Sequence, residues 1–212
     1  MTAFEFNDKN EIRIDGTWVP FRQSYALIGE EAWARAAGEL ELLNWEREMK
    51  CCPRCGAPLP AGKPKICPEC SAEYWPQLSP AIVVLVTRGD NRDEGLLVHA
   101  RTLPGDVHAL VAGFVEPGET LEECVAREVG EETGLKIEDI RYFGSQSWPY
   151  PHQLMVAFTA RLAPDSPPIT FPDGELTSGA FYDRRDPANL PTLPQPPSLT
   201  RRLIDTWLQN RL

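Results

Sequence analysis

Four cysteines in two closely spaced pairs are the first residues whose types and spacing indicate a chemical function. Cys52-Pro-Arg-Cys55 and Cys67-Pro-Glu-Cys70 repeat the pattern C-P-x-C, with 11 residues between the two pairs. Each tight turn can present two thiolates, and two such turns supply the four soft ligands of a tetrahedral zinc site. Four thiolates fill the coordination sphere, so the pattern predicts a structural zinc ribbon rather than a hydrolytic zinc centre.

Two other interpretations of the cysteine segment are weaker. A thioredoxin-like redox pair needs only one C-x-x-C motif beside a βαβ unit. A ribbon that touches nucleic acid needs a cationic surface, and Arg54, Lys63 and Lys65 give this segment a modest positive bias against Glu69. Three cations beside one acid more often form an ordinary solvated face. We therefore expect the ribbon to give structural support.

An acidic segment before Gly134 is predicted to be a helix. Thr120 and Glu123 form the capping-box pattern T-x-x-E, which places the start of the helix at Leu121. Gly134 follows the last acid of the segment, and glycine is the usual residue just past the end of a helix. The segment therefore has both a start signal and a stop signal.

Three glutamates of this helix lie on the face that is apolar in its first half. At about 100° per residue, Glu128, Glu131 and Glu132 continue the face that Val125 begins. Like charges at these spacings repel each other, and they lie at the negative end of the helix dipole. A hard divalent cation removes both objections, because carboxylates are preferred ligands of Mg²⁺ and Mn²⁺. A solvated acidic helix end is the alternative.

The residues around this helix carry a family resemblance. The segment resembles a complete Nudix box, with every specified position filled: Gly113-x5-Glu119-x7-Arg127-Glu128-Val129-x-Glu131-Glu132-x-Gly134-Leu135. The resemblance implies a Nudix α/β/α sandwich and hydrolysis of a nucleoside diphosphate linked to another moiety. It also implies that the box glutamates, chiefly Glu128 and Glu132, hold Mg²⁺ or Mn²⁺.

Two further segments resemble the NADH pyrophosphatase branch of the Nudix family, which also removes NAD caps from RNA. Residues 145–153 resemble the branch signature S-Q-P-W-P-F-P-x-S, with Ser147, Tyr150 and Gln153 as departures from it. Tyr150 keeps an aromatic face. A zinc ribbon before the Nudix fold and the link Tyr74-Trp75-Pro-Gln after its last cysteine are further marks of this branch.

The resemblance implies roles for individual positions. A metal ion would be held by the Ala112 carbonyl and by Glu128, Glu132 and Glu175, and the catalytic base would be Glu131 or Glu132. The residues implied to bind substrate, several of them flat rings suited to stacking, are Trp75, Phe114, Gln146, Ser147, Trp148, Pro149, Tyr150, Pro151, His152, Gln153 and Thr200.

The activity implied by the resemblance is water attack on the diphosphate of NADH or NAD, which releases nicotinamide mononucleotide and AMP. Removal of NAD caps from RNA 5′ ends and assembly as a homodimer are further implications. A Nudix pyrophosphatase for another nucleotide, such as ADP-ribose, is the nearest alternative. A nucleotide-sensing Nudix protein without catalysis is a second one, although such a binder has no need of the complete set of box carboxylates.

These residues require an α+β architecture to position them. We predict a short N-terminal segment over residues 1–50, a zinc ribbon over 51–78 and a Nudix domain over 79–212. Predicted strands cover residues 11–20, 81–87, 95–100, 109–115 and 155–161, and predicted helices cover 30–49, the acidic segment from 121, and 199–212.

The composition excludes several other classes of protein. The 212 residues carry 31 acids against 21 Lys and Arg, a formal charge of −10, which argues against a histone-like binder of nucleic acid. No run approaches the roughly 20 apolar residues of a membrane span. The N-terminal residues show no secretory signal, so we expect a cytoplasmic protein without a disulfide framework and without a membrane partner.

Overall fold

The computed structural model describes residues 4–172 and 174–212. The chain forms two compact units. One, called the N-terminal unit below, comprises the chain up to Leu78 together with Ser147–Gln153, and the other, the C-terminal unit, comprises Ser79–Gln146 and the chain from Leu154. The three-part division proposed from the sequence stays a prediction.

The N-terminal unit begins with a hairpin and a long helix. Strands β1 (Glu11–Ile14) and β2 (Thr17–Pro20) are antiparallel. They replace the single strand predicted over 11–20, which was wrong because Asp15 and Gly16 both have positive φ and form the turn between them. Helix α1 (Tyr25–Glu48) starts earlier than the predicted residue 30 and is kinked at Gly29, whose φ is 75°.

An aromatic core holds the N-terminal unit together. Phe21 stacks on Trp33 of α1, with ring centroids 5.0 Å apart. Trp148 lies 5.7 Å from Trp33, and Tyr150 lies 6.4 Å from Phe21. The segment 147–153 is therefore packed on α1 by its own aromatic side chains, and strands β3 (Lys65–Ile66) and β4 (Glu73–Tyr74) pair within the ribbon of the same unit.

The C-terminal unit is built around a sheet that has six strands among the described residues. Five strands are hydrogen-bonded in the order β10-β6-β5-β9-β8, and β7 pairs with β5. The bounds are β5 Ser79–Arg88, β6 Glu94–Ala100, β7 Val111–Phe114, α2 Leu121–Thr133, β8 Ile137–Trp148, β9 Gln153–Leu162, β10 Leu176–Asp183 and α3 Leu199–Leu208.

The two helices of this unit cover opposite faces of the sheet. Val84 and Val86 of β5 belong to the same buried cluster as Val125 of α2. Val83 and Leu85, which point to the other face, pack with the buried side chains of α3. Alternate residues of one strand therefore face different helices, which makes the C-terminal unit an α/β/α sandwich.

The helix that carries the box glutamates has the predicted ends. It starts at Leu121 after a capping box in which Glu123 N donates to Thr120 Oγ1 and Thr120 N donates to Glu123 Oε2. It ends at Thr133, and Gly134, just past that end, adopts the left-handed conformation with φ 69°. Helix α3, in contrast, ends at Leu208 rather than at the predicted 212, and β8 and β10 were missed.

Candidate functional site

The four cysteines lie close enough together to hold one metal ion. Their sulfur atoms all lie within 4.8 Å of one another. The Sγ–Sγ distance is 3.6 Å between Cys52 and Cys70 and also 3.6 Å between Cys55 and Cys67. Four sulfurs placed 2.3 Å from a central zinc lie about 3.8 Å apart in a tetrahedron. The cluster therefore fits a tetrahedral thiolate-bound ion.

Both C-P-x-C turns have the same backbone geometry. Gly56 N donates to Cys52 O at 2.8 Å, and Ser71 N donates to Cys67 O at 2.9 Å. Gly56 and Ser71 both have positive φ, 79° and 56°. The repeated pattern thus produces two equivalent turns that present their sulfurs to one point.

Tyr74 and a buried lysine stabilise the ribbon. The Tyr74 hydroxyl and Cys52 Sγ are hydrogen-bonded at 3.1 Å. Burial raises the pKa of the Cys52 thiol, but this bond and nearby backbone amides outweigh burial and bring the pKa to about 6. Lys65 pairs with Glu46 at 2.7 Å and donates to Met49 O. Because its side chain is only 2% exposed, Lys65 does not belong to the solvated cationic face considered from the sequence.

Arg127 organises the acidic end of α2. Its guanidinium makes a two-bond contact with Glu119, at 3.0 and 2.6 Å, and donates to Glu128 at 2.9 Å and to Glu131 at 3.1 Å. It also donates to the backbone oxygen of Phe114 in β7. This guanidinium lowers the pKa of Glu119 to about 2. One cation therefore fixes the orientation of three box glutamates.

The three glutamates predicted to share one face differ in depth. Glu132 is buried, the Glu128 side chain is only 13% exposed, and the Glu131 side chain is 60% exposed. Burial raises the pKa of Glu128; Arg127 opposes this shift, and the negative charges of Glu131 and Glu175 add to it. The charge of Glu175, which is far away in the sequence, therefore acts on the box carboxylates.

Gly113 of β7 leaves room for the Glu128 carboxylate. A Cβ atom built on Gly113 would overlap Glu128 Cδ, Oε1 and Oε2. Ala112, the residue implied to offer its carbonyl, precedes Gly113 and lies opposite Val83 of β5. The Glu128 carboxylate is mostly buried, lies beside other acids and packs against Gly113, which has no side chain. This arrangement matches the donor set of a hard divalent cation.

The residues implied to bind substrate fall in both units. Trp75 and Phe114 have rings that are about half exposed, 51% and 52%. Gln146 uses its side chain to hold the start of α3, because it donates to Pro197 O at 2.9 Å and accepts from Leu199 N at 2.7 Å. Thr200 lies in the first turn of α3.

The segment 147–153 makes contacts that were not predicted from the sequence. The ring of Tyr150 is covered by the Arg22 guanidinium, 3.9 Å from its centroid, and Trp148 contacts Trp33 and Tyr150. The Ser147 hydroxyl donates to Glu41 of α1. No sequence motif connects Glu41 or Arg22 with this segment, so only the fold reveals these partners. The other implied residues of the segment are Pro149, Pro151, His152 and Gln153.

Comparison with known families and proteins agrees with this architecture. The NUDIX domain family model matches residues 77–203. A protein of Chromobacterium violaceum is 39% identical over 192 residues, which cover 89% of this chain and 69% of the relative. One of Deinococcus radiodurans is 38% identical over 194 residues, covering 90% and 68%. Both relatives are named NAD-capped RNA hydrolase NudC.

Solved structures support the same fold at lower identity. A NUDIX hydrolase from Nitrosomonas europaea superposes with a TM-score of 0.58 at 23% identity, over 77% of this chain and 92% of its own. The NUDIX domain of Shewanella oneidensis NrtR, solved with ADP ribose, gives a TM-score of 0.51 at 16% identity, over 64% of this chain and 90% of its own. These likenesses concern the fold alone.

The chain belongs to the Nudix family of hydrolases. Within that family it is similar to the NAD-capped RNA hydrolases named above, at 38–39% identity over about nine-tenths of its length. The α+β fold class, the Nudix sandwich and the four-cysteine ribbon predicted from the sequence are confirmed. Among the described residues, no helix combines the length and apolar character needed to cross a bilayer.

Proposed function

We propose that this protein hydrolyses the diphosphate of NAD-type dinucleotides, either free NADH and NAD or the NAD cap at an RNA 5′ end. The products of free NAD would be nicotinamide mononucleotide and AMP. The observation that carries the proposal is the similarity, at 38–39% identity over about nine-tenths of the chain, to relatives named NAD-capped RNA hydrolase. The carboxylates that Arg127 orients beside Gly113 would hold a divalent cation, and that cation would bind the anionic diphosphate.

The residues that would hold Mg²⁺ or Mn²⁺ are Glu128, Glu132, Glu175 and the carbonyl of Ala112. Such an ion, when bound, neutralises charge on the phosphoryl oxygens and lowers the pKa of a coordinated water. The ion of the four-cysteine cluster would be Zn²⁺, and its role would be structural because four thiolates leave no open position. Both metal identities are part of the proposal.

The chain's own residues have separable tasks in this reaction. Arg127 fixes Glu119, Glu128 and Glu131, so the carboxylates need no reorganisation when the charged substrate arrives. Glu131 or Glu132 would accept the proton of the attacking water. Glu131 is exposed to solvent water, whereas Glu132 is buried.

The substrate rings would be held by stacking and by the loop around Trp148. Trp75 and Phe114 offer the most exposed aromatic surface among the implied residues. Ser147, Trp148 and Tyr150 would shape the subsite rather than stack freely, because their side chains already contact α1 or one another. Assembly as a homodimer and location in the cytoplasm stay predictions.

Product analysis tests the proposal. The protein is incubated with Mn²⁺ and equal concentrations of NADH, NAD or ADP-ribose, and products are separated by chromatography. We expect reduced nicotinamide mononucleotide and AMP from NADH, and a fall in rate of at least about a hundredfold for Glu132→Gln. Glu122→Gln, the same change at an exposed position of α2, is the matched control and should keep its rate.

Three outcomes would change the assignment. Faster turnover of ADP-ribose than of NADH would favour the pyrophosphatase for another nucleotide. Tight nucleotide binding with no bond cleavage would favour a sensor. Equal rates on NAD-capped and uncapped RNA would remove the cap from the proposal while leaving the free dinucleotide in it.

A further inference from the structure

One carboxylate of helix α1 lies beside both ends of the turn that joins β8 to β9. The Ser147 hydroxyl, near the end of β8, donates to Glu41 Oε2. His152, the last residue before β9, lies near enough for its charge to act on the same carboxylate. Glu41 and Ser147 both belong to the N-terminal unit although they are 106 positions apart. One side chain of α1 therefore contacts one end of the segment 147–153 and acts on the other.

The Glu41 carboxylate depends on its bond to Ser147. Glu41 Oε1 is buried and has no hydrogen-bond partner among the described residues. Burial raises the pKa of Glu41, and the Ser147 hydroxyl and the charge of His152 oppose that shift. Burying a charged group is costly unless its hydrogen bonds are made. The Ser147 hydroxyl therefore compensates for part of the cost of burying this carboxylate.

The sequence of the segment gives this bond a task. Pro149 and Pro151 restrain the backbone of the segment, but position 147 carries serine where the branch signature has proline. Proline fixes φ near −65°, and its side chain has no hydrogen-bond donor. Serine leaves the backbone freer and offers a hydroxyl. The bond to Glu41 therefore restrains position 147 by a means that a chain with proline there does not have.

The bond and the aromatic packing restrain different features of the segment. Trp148 packs on Trp33 and Tyr150 packs on Phe21, and such burial of apolar surface is not directional. A hydrogen bond to a carboxylate is directional and stronger than one between neutral groups. The rings therefore hold the segment against α1, while the bond to Glu41 fixes where along α1 it lies.

We propose that Glu41 is a positioning residue, which accepts the Ser147 hydroxyl and so holds the segment 147–153 in the conformation that binds the dinucleotide. The inference rests on the proposed function for the identity of the substrate and for the role of the segment in binding it. Glu41 acts through Ser147, since Oε1 is buried and Oε2 is bonded to the hydroxyl. Its loss should weaken substrate binding and leave the reaction of the bound substrate nearly unchanged.

Steady-state turnover of NADH tests this division between binding and reaction. A hydrogen bond to a charged group corresponds to a factor of roughly 10–100 in an equilibrium constant. We expect Glu41→Ala to raise KM about tenfold with kcat within about twofold. Glu41→Gln keeps an acceptor for the hydroxyl, so its KM should stay within about threefold. Glu31→Ala, at an exposed position of α1, is the matched control and should change neither constant.

Hydrogen–deuterium exchange reports on the segment without any substrate. Peptides that cover residues 147–153 should exchange about tenfold faster in Glu41→Ala than in the unsubstituted protein, because the bond no longer restrains them. Peptides from α2 should keep their exchange rates. Faster exchange in α2 as well would indicate a general loss of stability and would count against a positioning role.

Ser147→Ala removes the same bond from the donor side, which keeps the inference testable where Glu41→Ala does not fold. It should also raise KM about tenfold, and combining it with Glu41→Ala should raise KM no further, because both changes break one bond. Losses that multiply in the double variant would overturn the inference. An unchanged KM and unchanged exchange in Glu41→Ala, or a fall in kcat as large as the rise in KM, would also overturn it.

The two measurements distinguish this inference from the proposed function. Absence of NADH turnover in the unsubstituted protein would overturn the proposed function. The exchange of residues 147–153 would then decide alone whether Glu41 fixes the segment.

Discussion

Gly113 leaves space for the Glu128 carboxylate, so Gly113→Ala is predicted to displace that carboxylate. The new methyl carbon would overlap the carboxylate, so Glu128 Cδ and Oε1 must retreat by about 1.5 Å to reach an ordinary 3.4 Å contact. Gly113 does not have a positive φ, so alanine meets no backbone strain there. The substitution therefore moves one carboxylate with little change elsewhere.

The size of the displacement sets the size of the effect. Mg²⁺ demands ligand distances close to 2.0–2.1 Å, so a ligand about 1.5 Å out of place is lost. Disturbing the support of a ligand typically costs 10–100-fold in metal affinity, and misplacement by about 1 Å can cost roughly a hundredfold in rate. We expect Mn²⁺ affinity to fall at least tenfold and kcat/KM for NADH to fall about a hundredfold. The free energy of unfolding should fall by about 1–3 kcal/mol, because the added methyl overpacks a site where the Glu128 side chain is mostly buried.

Gly130→Ala is the matched control, since a Cβ built on Gly130 of α2 meets nothing within 4 Å. It should keep metal affinity and rate within about twofold and add helix stability of roughly 0.5–1 kcal/mol. Titration calorimetry with Mn²⁺ and steady-state turnover of NADH measure both variants. Denaturant unfolding supplies the stability of each.

A double-mutant cycle identifies the cause. In the Glu128→Ala background the added methyl has no carboxylate to displace, so Gly113→Ala should cost no further affinity. The reasoning is refuted when Gly113→Ala binds Mn²⁺ and turns over NADH like the unsubstituted protein. It is also refuted when Gly113→Ala costs as much in the Glu128→Ala background as alone.

Three further predictions concern the arginine, the pH dependence and the ribbon. Arg127→Lys replaces the forked guanidinium by a point charge. We expect Mn²⁺ affinity, measured by calorimetry, to fall about tenfold. Unchanged affinity would contradict the role of Arg127 in orienting the glutamates. Because Arg127 lowers the pKa of Glu119 from 4.5 to about 2, this carboxylate adds stability above pH 4.5 that is lost as the pH falls towards 2. Urea unfolding at pH 5 and pH 3 should therefore show a smaller loss for Glu119→Gln than for the unsubstituted chain, and equal losses would contradict it. Removal of the ribbon ion by a chelator, or the substitution Cys55→Ser, should unfold the ribbon and change the near-ultraviolet circular dichroism. A colorimetric zinc indicator follows the release of the metal. An unaltered spectrum after chelation would contradict the structural role of the ion.

The features predicted correctly from the sequence are those with short-range causes. The α2 ends follow from Thr120, Glu123 and Gly134, which all lie within one helix length. The equivalent cysteine turns follow from the three-residue spacing within each pair. Such signals need no knowledge of the rest of the chain, because capping and turn geometry are set by neighbouring backbone groups.

The features that were missed depend on distant residues. Strand β8 has no fully buried residue along Ile137–Trp148, so it lacks the buried apolar run that identified β5. The partnership of Glu41 with Ser147 spans 106 positions and no motif links them. The difference in exposure between Glu131 and Glu132 is also set by tertiary packing, which helix periodicity alone does not contain.

The aromatic contacts of residues 147–153 with α1 impose an order on folding during synthesis. The N-terminal unit lacks Trp148 and Tyr150, two members of its core, until the ribosome has passed residue 153. That is 75 residues after Leu78, or about 4–15 s at typical rates of about 5–20 residues per second. Strands β5–β8 and α2 are made during that interval. The packing of the N-terminal unit is therefore completed only after these elements of the C-terminal unit have been synthesised. A chain that ends after the ribbon would lack Trp148 and Tyr150 and so part of this packing.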